Sequence, residues 1–541
     1  MDDSVSTSPV ETAIEHFHSV DDVFHTHFLE MVILEQSEPG NIDPLSAIYQ
    51  YLVTLEKVYI LCGNFGRIRK VLSWHLWYKR DLNSEHHFPF RVEDFEDQTL
   101  KLVSGSKASP NLAIAVPSRL YCPPSAGKPL NGLRVAIKDN IDIAGVRTTG
   151  ASRSYGELYG NAPKSASAIQ KLIDLGAVIV GKAGLSQFAD AEDLTGDYVD
   201  FHAPWNPRGD GVRSTGGSSF GAGAAAGAYD WIDFTIGTDT GGSVRVPAAT
   251  QSLYGLRPSR GTIGSDGLIL IHPDLDMIGI ISRSLGTLNT VSRNLLESST
   301  PTLGQHDVPT LIYPAHTFPV ADKPTQDIYD AVVSALEKVL KVKRQVMDFN
   351  KEWKKSPSYT GEGFEDHFAA VMHDYIVWGQ YTGRSTFRSE YKAKFGRQPY
   401  VNPLAQFRYE TGADMEPDHF KAIQAKRQQF ETFIDSIFGP RSLMVTPFKF
   451  GEPEPRDMYR PAPAERAPEE FGWGLRPAFQ SPMAGQLEIV FPVGQLPTTS
   501  KTSQVVEQYG IIASLVGSKG MDAEVLETDI PTTVLTSRVP F

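Results

Sequence analysis

The pattern of apolar and polar segments changes near residue 130, and from there it predicts a sheet covered by helices. The run LRVAIKDNIDI, residues 133–143, is apolar and β-branched, which predicts a buried strand. The next segment, SASAIQKLIDLGAVIVGK at residues 165–182, predicts a helix followed by a second buried strand. Helices that alternate with apolar strands are typical of an α/β protein whose sheet has helices on both faces.

Farther along, the pattern becomes polar and helical and then returns to strands. Residues 300–440 contain long helical repeats of apolar positions, as in TQDIYDAVVSALEKVLKVKR, and two apolar runs follow, SLMVTPFKF and QLEIVFPVGQLP. We therefore predict one domain over residues 129–541, with its core at 131–285. We predict that 300–440 is a variable helical insert that shapes a substrate pocket, and that 441–541 returns to the main sheet.

The first 95 residues have a different texture, rich in histidine and aromatic side chains, and predict a small extension or cap of two or three helices or strands. Residues 96–128 contain Ser, Pro and Gly clusters, which predict a linker. Four histidines of the extension form two i,i+2 pairs, which do not share a helix face, so we predict no metal site there; these are His16, His18, His25 and His27.

Composition narrows the possible functions. The chain has 541 residues, a formal net charge of −13 and no long run of Lys or Arg, which disfavours nucleic acid and anionic membrane as partners. No stretch of 18 apolar residues occurs, and the two cysteines form no CxxC pair. The acidic, polar start MDDSVSTSPVE is unlike a signal or transit peptide, so we predict a cytoplasmic location. Nothing indicates a cofactor.

The segments most informative about chemistry are STGGSSFGAGAAAGA and TIGTDTGGSVRVPAA, in which Gly241 and Gly242 directly precede Ser243. Two successive glycines let the backbone turn sharply and direct several N–H groups at one point. A serine hydroxyl at that point is a candidate nucleophile beside its own oxyanion hole. The predicted oxyanion-hole donors are the N–H groups of Thr240, Gly241, Gly242 and Ser243.

A serine nucleophile needs a base, and no histidine near these segments lies in a triad motif. Lys138 ends the predicted buried strand, where desolvation would lower the pKa of its amine and allow it to stay neutral. It could then accept a proton directly, or through the hydroxyl of Ser218 or Ser219. The two serines also precede an Ala-rich helix, so either could serve as its N-cap.

Four segments in order, LRVAIKDNIDIAG, STGGSSFGAGAAAGA, GTDTGGSVRVPA and GLRPSRGTI, resemble the amidase signature family. The resemblance is dense over residues 131–285 and thin beyond. It implies the family's fold, a large mixed central β-sheet flanked by helices. It also implies that Lys138 is the base, Ser243 the nucleophile and Ser218 the bridging serine, in a cis peptide after Gly217. Supporting roles are implied for Ser219, Asp239 and Arg245.

The function implied is hydrolysis of a carboxylic amide, with ester cleavage as an open variant, in a small molecule, through a serine acyl-enzyme. The segment before residue 95 resembles extensions on fungal, stand-alone members. The alternatives are the amidase subunit of a tRNA-dependent amidotransferase and a non-catalytic binding protein with the same fold; a homodimer is left open. A dinucleotide site at Gly221, Gly223 and Gly227 is disfavoured, since a loop and not a strand precedes them.

Overall fold

The structure is a computed structural model. It describes residues 31–35, 59–63, 125–192, 198–296, 309–449, 455–456, 458, 461–463 and 476–527. The chain divides into two compact units, one of residues 1–134 with 175–181 and the other of residues 135–174 with 182–541. All the predicted site residues lie in the second unit.

The first unit contains a parallel pair of strands, β1 (Met31–Glu35) and β2 (Tyr59–Gly63). The rest of the predicted extension lies outside the described residues, as do its four histidines and most of the predicted linker. The boundaries of extension and linker therefore stay predictions.

A mixed ten-stranded sheet forms the core of the fold, in the order β4-β3-β5-β7-β6-β11-β12-β10-β8-β9. Parallel pairing joins β3 to β5 and β8 to both β9 and β10, whereas β5 to β7 and β6 through β11 and β12 to β10 pair antiparallel. The strands are β3 (Arg134–Lys138), β4 (Val178–Ala183), β5 (Phe234–Asp239), β6 (Tyr254–Arg257), β7 (Met277–Ser282), β8 (Thr310–Pro314), β9 (Arg344–Met347), β10 (Ser442–Lys449), β11 (Leu487–Thr499) and β12 (Val506–Gly517).

Helices separate these strands, and the predicted helical insert is helical as expected. In chain order the helices are α1 (Arg153–Tyr159), α2 (Ser167–Asp174), α3 (Phe220–Ala228), α4 (Arg245–Thr250), α5 (Leu285–Leu295), α6 (Lys323–Leu340), α7 (Phe349–Trp353), α8 (Phe364–Phe368), α9 (Val371–Gly383), α10 (Ser385–Phe395), α11 (Pro403–Ala413), α12 (Pro417–Ile437), α13 (Gln480–Ala484) and α14 (Asp522–Glu527). The α/β class and the mixed sheet predicted from the sequence are confirmed.

Local sequence explains where several helices begin. The Asp322 side chain accepts a hydrogen bond from the Thr325 N–H at the start of α6, and a proline follows in the first turn. Ser284 caps α5 in the same way through the Thr287 N–H. No helix among the described residues is both long enough and apolar enough to cross a membrane.

The insert helices share a hydrophobic core with the sheet. Side chains of α7, α8, α9 and α12 pack in one buried cluster with side chains of β8, β10 and β12, such as Ile312, Met444 and Val516. The insert is therefore part of the same hydrophobic core as the strands.

The end of the β3–β5 pair fixes the position of the predicted site. Because β3 and β5 run parallel, their carboxyl ends lie at the same edge of the sheet. Lys138 is the last residue of β3 and Asp239 the last residue of β5. The loop that carries Ser243 follows β5 directly.

Candidate active site

The Lys138 amine is fully buried and held by three oxygen atoms. Its Nζ lies 2.7 Å from Ser218 Oγ, 2.9 Å from Thr238 Oγ1 and 3.2 Å from the Thr238 carbonyl oxygen. Asn140 Nδ2 donates to the same Thr238 Oγ1 at 3.0 Å and to the Ile269 carbonyl at 3.2 Å. Thr238 therefore fixes the amine, and Asn140 fixes Thr238.

These contacts are compatible with a neutral amine that acts as an acceptor. The Thr238 carbonyl can only accept, and Thr238 Oγ1 accepts from Asn140 and from Lys138. A neutral amine has two hydrogens, which these two oxygens take, and one lone pair. The lone pair is then left for the Ser218 hydroxyl, 2.7 Å away.

Burial favours this neutral form. Desolvation lowers the pKa of Lys138 to about 7, although the negative charges of Asp239 and Asp276 act in the opposite direction. A base with a pKa near 7 is matched to proton transfer at neutral pH. The buried strand end of the sequence thus becomes an amine that is neutral about half of the time at pH 7.

The backbone places Ser218 against this amine. The Gly217–Ser218 peptide is cis, as the family resemblance implied, and the Ser186 N–H donates to the Ser218 carbonyl at 3.1 Å. Ser219 precedes α3 as its N-cap residue, but its hydroxyl makes no cap bond and donates instead to the Thr238 carbonyl at 3.3 Å. Both serines thus contact the end of β5 or its lysine partner.

The loop that carries Ser243 is folded around the Asp239 carboxylate. That carboxylate accepts the N–H groups of Gly242 at 3.0 Å and Val244 at 3.1 Å, and the Arg245 guanidinium binds it at 2.8 and 3.0 Å. The Ser219 N–H donates to the Ser243 carbonyl at 3.2 Å, which joins the nucleophile loop to the Ser218 segment. Among the described residues, no hydrogen bond joins the two hydroxyls of Ser218 and Ser243 directly.

Two further buried charges complete the support of this loop, and the sequence analysis missed both. Arg245 also binds Glu488 Oε2 on β11 at 2.6 Å, and Arg257 on β6 lies 3.3 Å from Asp239 Oδ1. Burial opposes the charge of Asp239, but Arg245 and Arg257 outweigh it and hold the pKa of this carboxyl well below its usual range. A charged residue inside an apolar strand, as in QLEIVF, was the available signal, because such a residue must be paired.

The predicted oxyanion-hole donors divide into two kinds. The Gly242 N–H is engaged by Asp239 and so holds the loop, with Gly242 itself at φ +127°. The N–H groups of Thr240, Gly241 and Ser243 remain as the predicted donors. A methyl group placed on Gly241 would lie 3.2 Å from Phe479 and 3.4 Å from Met372, so the wall beside this loop is apolar.

Comparison with known proteins agrees with this fold. The family described as Amidase matches residues 111–360. Amidase 1 of Oryza sativa subsp. japonica is 29% identical over 356 residues, which cover 63% of this chain and 79% of that protein. The allophanate hydrolase of Kluyveromyces lactis, in its S177A form, superposes with a TM-score of 0.59 at 20% identity, covering 83% of this chain and 67% of that one.

A second set of relatives matches only the central segment. One of them, the amidase-type subunit of the glutamyl-tRNA(Gln) amidotransferase of Saccharolobus solfataricus, is 40% identical over 159 residues. These residues cover 29% of this chain and 32% of that relative, so the match spans about a third of its length. The chain belongs to the amidase signature family. Within that family, the fold and the family match indicate an amidase, an enzyme that hydrolyses amides.

Proposed function

We propose that the protein hydrolyses a linear carboxylic amide in a small molecule through a serine acyl-enzyme, without a cofactor. Ser243 is the nucleophile, Ser218 the proton relay and Lys138 the base. The observation that carries the proposal is the buried Lys138 amine, 2.7 Å from Ser218 Oγ, with its other contacts made to acceptors.

In the acylation step Ser243 Oγ attacks the amide carbonyl carbon. Its proton passes to Ser218 Oγ while the Ser218 proton passes to Lys138 Nζ. The N–H groups of Thr240, Gly241 and Ser243 stabilise the oxyanion, and removal of one such donor typically costs about 10²- to 10³-fold in rate. The proton on Lys138 returns through Ser218 to the leaving nitrogen, the C–N bond breaks, and the amine departs.

Deacylation follows the same relay. Water attacks the acyl-enzyme, and its proton passes through Ser218 to Lys138. Return of that proton to Ser243 Oγ breaks the ester bond and releases the carboxylic acid. Lys138 is neutral again at the end of the cycle, so no net proton is stored.

The test is covalent labelling together with a substrate screen. A fluorophosphonate should label the wild-type protein on the peptide that contains Ser243, as mass spectrometry would show. In a screen of aryl, fatty and short-chain amides and esters, Ser243→Ala should lose at least about 10³-fold in turnover. A folded wild-type protein that is neither labelled nor active would contradict the proposal, as would normal turnover in Ser243→Ala.

A second candidate function rests on the match to the amidotransferases. That match is higher in identity than the match to Amidase 1 but covers less than half as many residues. The amidase component of such an enzyme would transfer ammonia to a partner protein. Glutaminase activity that depends on a second, co-purified component would support this candidate and count against stand-alone hydrolysis.

A further inference from the structure

A buried carboxylate lies behind the proposed site and takes no part in the relay. Asp276 precedes β7, and the next residue, Met277, pairs in register with Asp239. Its side chain is buried, at 4% exposure. One carboxylate oxygen accepts the Ile271 N–H at 2.5 Å, and the Thr240 hydroxyl also hydrogen-bonds to the carboxylate. Thr240 is the first residue of the loop that carries the proposed oxyanion donors.

A three-residue segment, residues 269–271, connects Asp276 to the surroundings of the proposed base. At one end the Ile269 carbonyl accepts from Asn140, which also donates to Thr238 Oγ1, the acceptor of the Lys138 amine. At the other end Ile271 donates to Asp276. The carboxylate and the amine are thus held by one continuous set of hydrogen bonds.

The charges around the two groups differ in how well they are compensated. Asp276 faces Arg257 on β6, Arg384 after α9 and Lys138 on β3, and Lys138 in turn faces Asp239 on β5. Asp239 is bound directly by two guanidinium groups. For Asp276 no ion pair within 4.0 Å occurs among the described residues, and its Oδ1 has no hydrogen-bond partner there.

We infer that Asp276 is a positioning residue whose negative charge tunes the basicity of Lys138 and whose carboxylate anchors Thr240 at the start of the nucleophile loop. The inference rests on the proposed function. Burial raises the pKa of Asp276 to about 6, against the opposing effects of Thr240 and Ile271, so its charge changes just below the range in which Lys138 titrates. Ionised Asp276 raises the pKa of Lys138.

Asp276→Asn separates the charge from the hydrogen bonds. Its amide oxygen can still accept the Ile271 N–H, and its NH₂ group can donate to the Thr240 hydroxyl, which also accepts. Without the negative charge the pKa of Lys138 should fall, by roughly one unit. Asp274→Asn is the matched control, because Asp274 lies on the same loop, is partly exposed and pairs with His272 and Arg427 instead.

The experiment measures the rate of fluorophosphonate labelling of the full chain between pH 5.5 and pH 9. With a base of pKa about 7 in the wild type, the rate at pH 6 should be about one tenth of the rate at pH 8.5. In Asp276→Asn this ratio should rise about fivefold, and in Asp274→Asn it should stay at the wild-type value. If Asp276→Asn does not fold, Asp276→Ser supplies the same uncharged comparison.

The outcomes separate the two levels of argument. A ratio that is unchanged in folded Asp276→Asn, even with a lower plateau rate, overturns the inference, because loss of structural support alone would lower the rate without moving the pH profile. Wild-type protein that is not labelled at any pH overturns the proposed function itself.

Discussion

At the scale of single residues, the proposal depends on the solvation of one amine. Lys138 lies at the end of a fully buried strand, where a positive charge has no water around it. The hydroxyl and carbonyl groups of Thr238 hold the amine but do not replace a full hydration shell. The neutral form is therefore favoured, and the pKa of Lys138 falls to about 7 because of burial. This cost to the fold is measurable without any substrate.

Replacement of Lys138 by methionine, which is similar in shape and cannot titrate, should change how stability depends on pH. The pKa of Lys138 is lower in the folded protein than in the unfolded chain, so the unfolded chain binds more protons between about pH 7 and 10.5. Relative to Lys138→Met, the wild type should gain about 2 kcal/mol of unfolding free energy from pH 6 to pH 8.5.

Urea unfolding of both proteins at the two pH values, followed by circular dichroism, provides the measurement. Lys182→Met is the control, since Lys182 is paired with Asp139 near the same strand and no lowered pKa is invoked for it. Equal pH dependence in the wild type and Lys138→Met would show that the amine is not held neutral.

Sequence reasoning reached the groups proposed for the chemistry but not the groups that support them. Lys138, Ser218 and Ser243 lie in segments with a recognisable order, and the structure brings the first two within hydrogen-bonding distance. Glu488 pairs with a residue 243 positions away, and that pairing depends on β11 lying next to β6. No local pattern encodes such a contact, so the buried partners of Arg245 could not be assigned.

At the scale of elements, the turn between β5 and α4 gives the nucleophile loop its shape. Gly242 adopts φ +127°, a region that side chains with a Cβ rarely enter, and its N–H is bound by Asp239. A methyl group there would also lie 3.1 Å from Val246. The conformation of this one residue sets the direction of the neighbouring N–H groups.

Gly242→Ala should therefore lower both stability and activity. We expect a loss of about 1–2 kcal/mol in unfolding free energy and a loss of at least about 10-fold in labelling rate, because the loop must shift to relieve the strain. Gly261→Ala is the matched control: Gly261 has φ +87° and open space around its Cβ position. It should lose similar stability and keep its labelling rate; equal labelling in both variants would contradict the role given to the loop.

At the scale of the whole molecule, the sequence predicted the kinds of element but not their arrangement. Apolar runs correctly placed β3, β4, β10 and β11, and the long helical repeats of 300–440 are helices. The order of the strands was out of reach, because β11 and β12 lie between β6 and β10 through pairings of high sequence separation. Periodicity reports on which face a residue buries, and not on which strand lies beside it.

The insert is attached to the core by buried polar contacts as well as by apolar packing. Arg408 on α11 binds Asp190 at 3.1 Å, and both side chains are 2% exposed. Gln380 on α9 donates to the Phe188 carbonyl at 3.1 Å, and the Asn402 N–H donates to Gln187 Oε1 at 2.6 Å. The segment 187–190 thus holds three elements of the insert in place.

Removal of one member of the buried ion pair should test this attachment. Arg408→Met leaves the Asp190 carboxylate buried without its guanidinium partner and should lower the free energy of unfolding by about 3–5 kcal/mol. Asp190→Asn combined with Arg408→Met should recover part of the loss, because no charge is then left buried. Lys421→Met, which removes an exposed ion pair of α12, should leave stability nearly unchanged. If urea unfolding gave the same small change for Arg408→Met as for Lys421→Met, the insert would be held by its apolar contacts alone.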